Sequence, residues 1–161
     1  MIRVQRDDFD VGAELGRLTG GNTAIGGVCV FVGLVRDMAP ADKKGADKVG
    51  AMTLEHYPGM TERQLERIDR EAHGRWPLEE TLIIHRHGRL EPGDRIVLVA
   101  AASRHRQAAF DACQFLIDWL KTQAPFWKVE ETPEGARWVE SRASDDAAAA
   151  KWTSTERAAT K

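Results

Sequence analysis

Only two cysteines, Cys29 and Cys113, occur in the 161 residues, too few for a disulfide framework. Both fall in segments expected to be a strand and a helix, so they read as buried thiols of a protein kept in a reducing cytoplasm. No apolar run approaches the ~18 residues of a membrane span, and the opening MIRVQRDDFD has no secretory hydrophobic core. The longest such stretch, Ala24 to Val35, is broken by glycines and reads as a buried strand. Charge of one sign is missing as well: 23 Lys and Arg against 25 Asp and Glu leave −2. No overall basic field therefore favours nucleic acid, and any anion site must be local. A G-x-G-x-x-G fingerprint, a Walker A loop and a G-x-S-x-G elbow are all absent, which removes the common nucleotide sites and the serine-hydrolase nucleophile. There is no internal repeat.

Present instead is the ordinary composition of one globular domain with a real core, 42% hydrophobic and 30% charged. Strands are expected at Ile2–Gln5, Ala24–Val35, Ala51–Tyr57, Thr81–His87 and Arg95–Ala102. A hairpin is expected from Val129–Glu131 and Ala136–Glu140 across Thr132-Pro133-Glu134-Gly135. Helices are expected at Val11–Leu18, after a Thr61–Gln64 capping box, and after Ser103. The middle helix has Leu65, Ile68, Ala72 and Trp76 on one face. The alternation gives an α/β (α+β) class with helices packed on a mixed sheet. Arg36–Gly50 is polar and unperiodic and reads as a mobile loop. Beyond Ser144 the Ala-, Ser- and Thr-rich chain reads as a frayed tail (144–161) after a domain of residues 1–143.

The densest chemistry lies between Ser103 and Glu130. Ser103 is expected to cap a helix that opens on Arg104, His105 and Arg106, where unpaired backbone N–H groups already favour an anion. Three basic side chains at the positive end of the dipole are unfavourable unless an anion offsets them; the alternative is a set of solvated charges, and both readings stand. The helix carries an apolar stripe at Ala109, Cys113, Leu116, Ile117 and Leu120 and closes on Lys121. Lys121 and Lys128 alone would be a bland pair of cations. Pro125-Phe126-Trp127 between them offers a stiff aromatic wall that can desolvate a lysine for acid–base work.

Other candidates are weaker. His85 and His87 share one face of a strand, but no third ligand stands at a convincing spacing, so a half-exposed strand edge is preferred to zinc. His56 and Tyr57, before Pro58-Gly59, are read as shaping a strand-to-helix turn. Nothing local activates either cysteine. Gly26, Gly27 and Gly33 sit within a strand pattern, implying bulges or close backbone approach.

In order along residues 1–142, TLEHYPGMTE (Thr53–Glu62), RWPL (Arg75–Leu78), IHRHGRLEPGD (Ile84–Asp94), the stretch from Ser103 through LKTQAPFWKVE (Leu120–Glu130) and TPEGARWVE (Thr132–Glu140) resemble the catalytic (large) subunit of molybdopterin synthase, the MoaE family. The resemblance implies an α/β hammerhead-type domain with a smaller α+β part. It also implies a homodimer at the core of a heterotetramer. The partner would be a small ubiquitin-like sulfur-carrier subunit (MoaD-like) that inserts a C-terminal Gly-Gly thiocarboxylate. The implied activity is a sulfurtransferase reaction that moves two sulfurs onto cyclic pyranopterin monophosphate to form the molybdopterin dithiolene. No metal or organic cofactor, nucleic acid or membrane is implied; the pterin is substrate.

Residue by residue, Arg36, His105, Arg106, Lys121, Lys128 and Glu130 match the family's substrate-binding positions, with Lys121 and Lys128 as the catalytic pair. Leu34 departs from the family pattern, which often has lysine there. The chemistry fits, because a cyclic phosphate and a thiocarboxylate meeting in a water-poor cleft need fixed cations. The arginine fork suits the phosphate and lysine suits proton transfer. Two rivals are a non-catalytic docking module for a ubiquitin-like tail and a nucleic-acid-binding domain built on the five tryptophans and the basic trio.

Overall fold

The computed structural model describes residues 1–36, 51–124, 126–132, 135–139 and 143–153. The larger sheet is built from β1 (Ile2–Gln5), β2 (Gly27–Leu34), β4 (Leu78–Arg86) and β6 (Arg95–Ser103) in the order β1-β4-β6-β2. β1 runs parallel to β4, and the other pairs are antiparallel. The smaller sheet, all antiparallel, has β3 (Ala51–His56), β5 (Gly88–Leu90), β7 (Phe126–Thr132) and β8 (Gly135–Val139) in the order β5-β3-β7-β8. The expected β7–β8 hairpin is therefore present.

Strand parity divides the core. On one face of the larger sheet Leu82, Ile84, Leu98, Ala100 and Ala102 pack with Leu18 of α1 (Val11–Thr19). On the other face Ile83, Val99 and Ala101 meet α2 (Met60–Arg75) and α3 (Arg106–Gln123). Leu65, Ile68 and Ala72 of α2 are buried with Trp76 packed beside them, and Ala109, Cys113, Leu116 and Leu120 of α3 are buried, as the spacing predicts. The stripe is wider than expected, because Ala112 and Phe115 are also fully buried.

Two expectations change. The capping group of α2 is Glu62, which accepts from the Gly59 N–H at 2.6 Å, while Thr61 is buried and accepts from the Tyr57 N–H at 3.3 Å. Gly59 has φ of 79°, which a side chain would strain. The chain expected to fray after Ser144 instead forms α4 (Ala143–Ala150). Trp152 then packs edge-on to Trp76 and Phe115 at 5.7 and 5.5 Å, and its indole N–H donates to Asp118 at 2.8 Å. Residues 154–161 of that tail, and positions 37–50 of the loop expected at Arg36–Gly50, lie outside the described residues.

Candidate active site

Ser103 does not cap α3. It is the last residue of β6, fully buried; its hydroxyl donates to the Pro77 carbonyl at 2.8 Å and accepts from the His105 N–H at 3.4 Å. The N-cap is His105, whose side chain makes no capping bond, and the first turn holds no acidic residue. Arg104, His105 and Arg106 are all exposed there, so the basic trio does crown the N-terminus of an 18-residue helix. Gly26 explains how the strand reaches it. Its N–H donates to the Ser103 carbonyl at 3.0 Å, and a Cβ at Gly26 would overlap the Arg104 carbonyl oxygen. The close approach expected at these glycines is real at Gly26, and the bulge falls between Gly33 and Leu34.

Lys121 occupies the last turn of α3 and is exposed. The helix stops when Ala124 turns extended, at ψ of 125°, and the Phe126 N–H donates back to the Ala124 carbonyl at 2.8 Å. β7 then pairs with β3 so that Phe126 lies opposite His56 and Lys128 opposite Leu54. Opposed residues share a face, so Lys128 stands on the inward side with buried Leu54. Trp127 points the other way, 50% exposed, with Tyr57 edge-on at 6.2 Å. The aromatic wall expected beside the lysines is therefore divided, and only Phe126 is on the side of Lys128.

Arg36 follows β2 immediately after Val35, whose N–H and carbonyl bond to Asp94 and Gly93 at 2.8 and 2.7 Å. β2 begins opposite Ser103 and ends opposite Arg95, a run of about 25 Å. α3 travels in the same direction as β2. Its Arg106 lies against Gly27, and its Cys113 thiol lies 3.9 Å from the Val99 carbonyl, whose residue pairs with Phe31. The predicted residues thus form two groups in one chain: Arg104, His105 and Arg106 at one end of the sheet, Arg36, Lys121 and Lys128 toward the other. Glu130 lies on β7 paired with Met52; its side chain is outside the described residues. Leu34 is 54% exposed opposite Arg95, and the Arg95 guanidinium is gripped by both carboxylate oxygens of Asp8. That bond holds the Asp8 carboxyl down at about 2.

The histidines are not an exposed edge. β4 is an interior strand and His85 is 9% exposed, its ring stacked on Phe126 with centroids 3.6 Å apart and planes at 14°. Burial, with His56 and His87 nearby, brings its pKa down to about 4. His87 lies past the strand end with its ring 4.2 Å from His56, and burial lowers its pKa too. Among the described residues no group of three or more His, Cys, Asp or Glu is arranged to hold a metal ion. Cys113 is a core thiol pushed well above the usual range by burial and by Cys29 beside it. Sequence reasoning singled out His85 but placed it on a half-exposed edge, where the structure buries it. Its signal is parity: it continues the buried face of Thr81 and Ile83.

Residues 4–123 match the family model described as MoaE protein. The chain belongs to the MoaE family. A MoaE-family relative, the molybdopterin synthase catalytic subunit of Pseudomonas aeruginosa, is 58% identical over 151 residues, covering 94% of this chain and 97% of that protein. Among solved structures, the molybdopterin biosynthesis MoaE protein of Burkholderia ambifaria matches with a TM-score of 0.79 at 53% identity, over 94% of this chain and 97% of that one. The molybdopterin synthase of Staphylococcus aureus matches with a TM-score of 0.76 at 30% identity, over 85% and 95%. The hammerhead-type mixed architecture expected of a MoaE-family chain is thus shared with solved members.

Proposed function

We propose that this chain is the catalytic subunit of a molybdopterin synthase, a sulfurtransferase that moves sulfur from the C-terminal thiocarboxylate of a small ubiquitin-like carrier onto cyclic pyranopterin monophosphate. In each transfer a carbon–sulfur bond forms on the pterin side chain as a carbon–oxygen bond at the same carbon breaks. Water then cleaves the acyl carbon–sulfur bond, leaving the sulfur on the pterin and the carrier as a carboxylate. The observation that carries the reading is the corner where α3 passes into β7. It brings one lysine on a helix terminus and one on the inward face of the adjoining strand to the same end of the molecule as Arg36. Lys121 meets thiocarboxylate and substrate as acid–base group or electrostatic stabiliser, and Lys128 assists. Arg36, His105 and Arg106 hold the pterin phosphate, and Glu130 is assigned to substrate binding with them by its match to the family pattern. No metal or organic cofactor is assigned. Since the basic trio and the lysines stand about 24 Å of helix apart, the complete pocket is composed from two copies of the chain, with a carrier subunit at each. The working compartment is the cytoplasm; no helix among the described residues is long and apolar enough to cross a membrane.

The test is incubation with thiocarboxylated carrier and the cyclic precursor, with the dithiolene product oxidised to a fluorescent pterin. Product formation at catalytic enzyme supports the reading. Carrier binding without product would reduce the chain to a docking module.

A further inference from the structure

We propose that His85 is a positioning residue for the sulfur transfer, holding Phe126 by ring stacking and so setting where Lys128 stands relative to Lys121. The proposal rests on the reading of those two lysines as the working pair. Its geometry is independent of that reading. α3 ends at Gln123 and β7 begins at Phe126, so a very short link decides how the strand bearing Lys128 leaves the helix bearing Lys121. Phe126 belongs to the smaller sheet yet packs against the main core under α2 and α3. The contact that seats it there is the parallel stack on His85, at 3.6 Å between centroids.

His85 is itself fixed. It lies on an interior strand between β1 and β6, opposite Val4 and Val97, and its Nδ1 is 2.8 Å from the Arg86 carbonyl. Burying an imidazole where Ile83 occupies the preceding core position costs more than burying another aliphatic group. A planar ring gains what an aliphatic group cannot, a flat contact with Phe126. The charged and titratable groups around the stack are His56 on β3, His87 after β4, Glu62 on α2, 3.9 Å from His56, and Arg6 after β1, which acts on His87. None of these replaces the flat contact. Phe126 precedes Lys128 by one full strand repeat on the same face, so a tilt of its ring passes directly to the lysine. A misplacement of about 1 Å in such a site can cost on the order of 10²-fold in rate.

The experiment is a cycle of His85→Ala, Phe126→Ala and the double variant, assayed for kcat and for KM toward both thiocarboxylated carrier and precursor. Each single change should lower kcat by about 10- to 100-fold with KM values within about twofold. The double should be no worse than the poorer single, because both remove one contact. His85→Phe, which keeps a flat ring, should recover more kcat than His85→Ala. If the alanine variants fail to fold, His85→Phe and Phe126→Leu carry the comparison. A second readout needs no turnover: acylation of the lysines by a succinimidyl ester, followed by peptide mass spectrometry. His85→Ala should change the rate at Lys128 several-fold and leave Lys121 as it was. Losses that multiply in the double, a His85→Ala kcat within twofold of wild type, or an unchanged acylation ratio would each overturn the proposal. Lys121→Ala and Lys128→Ala run alongside. Full activity in both would sink the lysine reading, while the acylation ratio would still decide the geometry of the stack.

Discussion

Lys121 sits at the negative end of the α3 dipole, where a cation is stabilised whatever its function. Its removal should therefore leave the fold intact. Lys121→Ala is expected to lower product formation by about 10²–10⁴-fold, the range for loss of a general acid–base group. Carrier docking, measured by titration calorimetry, should be unchanged; turnover within a few-fold of wild type would remove Lys121 from the chemistry. His85 makes a prediction of a different kind. Its pKa is depressed from 6.5 to about 4 in the folded chain, so the unfolded chain binds more protons between those values. Its contribution to stability is fully present above about pH 6.5 and is lost as pH falls toward 4, on the order of 3 kcal/mol in all. Urea titrations at pH 7 and 4.5 should show wild type losing about 2 kcal/mol more than His85→Phe. Equal losses would mean that His85 is not the titrating group. Asp8, held down by Arg95, adds its own loss only at lower pH, as it falls through the normal carboxylate range toward 2.

At the level of elements, the sharpest constraint is the contact of β2's approach with the start of α3. A side chain at Gly26 meets the backbone carbonyl of Arg104, which cannot swing aside as a side-chain tip would. Gly26→Ala should displace the turn that presents Arg104, His105 and Arg106 and cost about 1–3 kcal/mol. It should also raise KM for the phosphate-bearing precursor by a larger factor than KM for the carrier. Gly74 in α2 is the control, because a Cβ there meets nothing within 4 Å. Gly74→Ala should stabilise by about 0.5–1 kcal/mol and leave both KM values alone. A Gly26→Ala enzyme with normal KM and melting temperature would show that the approach is slack.

For the whole molecule the decisive quantity is the length of α3, since one helix separates the basic trio from Lys121 by about 24 Å. A symmetric pair of chains solves this if each contributes its basic trio to the other's lysine corner. Mixing a His105→Ala/Arg106→Ala chain with a Lys121→Ala chain and allowing subunits to exchange should restore one intact pocket per heterodimer. Random exchange then predicts about a quarter of wild-type activity, well above either parent. Exchange verified by native mass spectrometry with no recovered activity would mean that the pocket is built within one chain.

What the sequence determined by itself is whatever depends on local spacing. The apolar stripe from Ala109 to Leu120, the Leu65–Ile68–Ala72 face and the β7–β8 hairpin were readable because helix and strand periods are short-range. The family motifs were readable for a related reason, since they are contiguous strings. Tertiary structure decided the rest. Trp127 faces outward and Lys128 inward because pairing with β3 sets the parity of β7. Ser103 closes β6 instead of capping α3 because Pro77, remote in sequence, accepts its hydroxyl. Trp152 is drawn against Trp76 and Phe115 only once α2 and α3 are side by side, so a tail of small residues gives no sign of it. His85 looked like an edge histidine until β4 was flanked by β1 and β6 and Phe126 came across from the other sheet. Each of these depends on contacts between segments far apart in the chain, which no local pattern encodes.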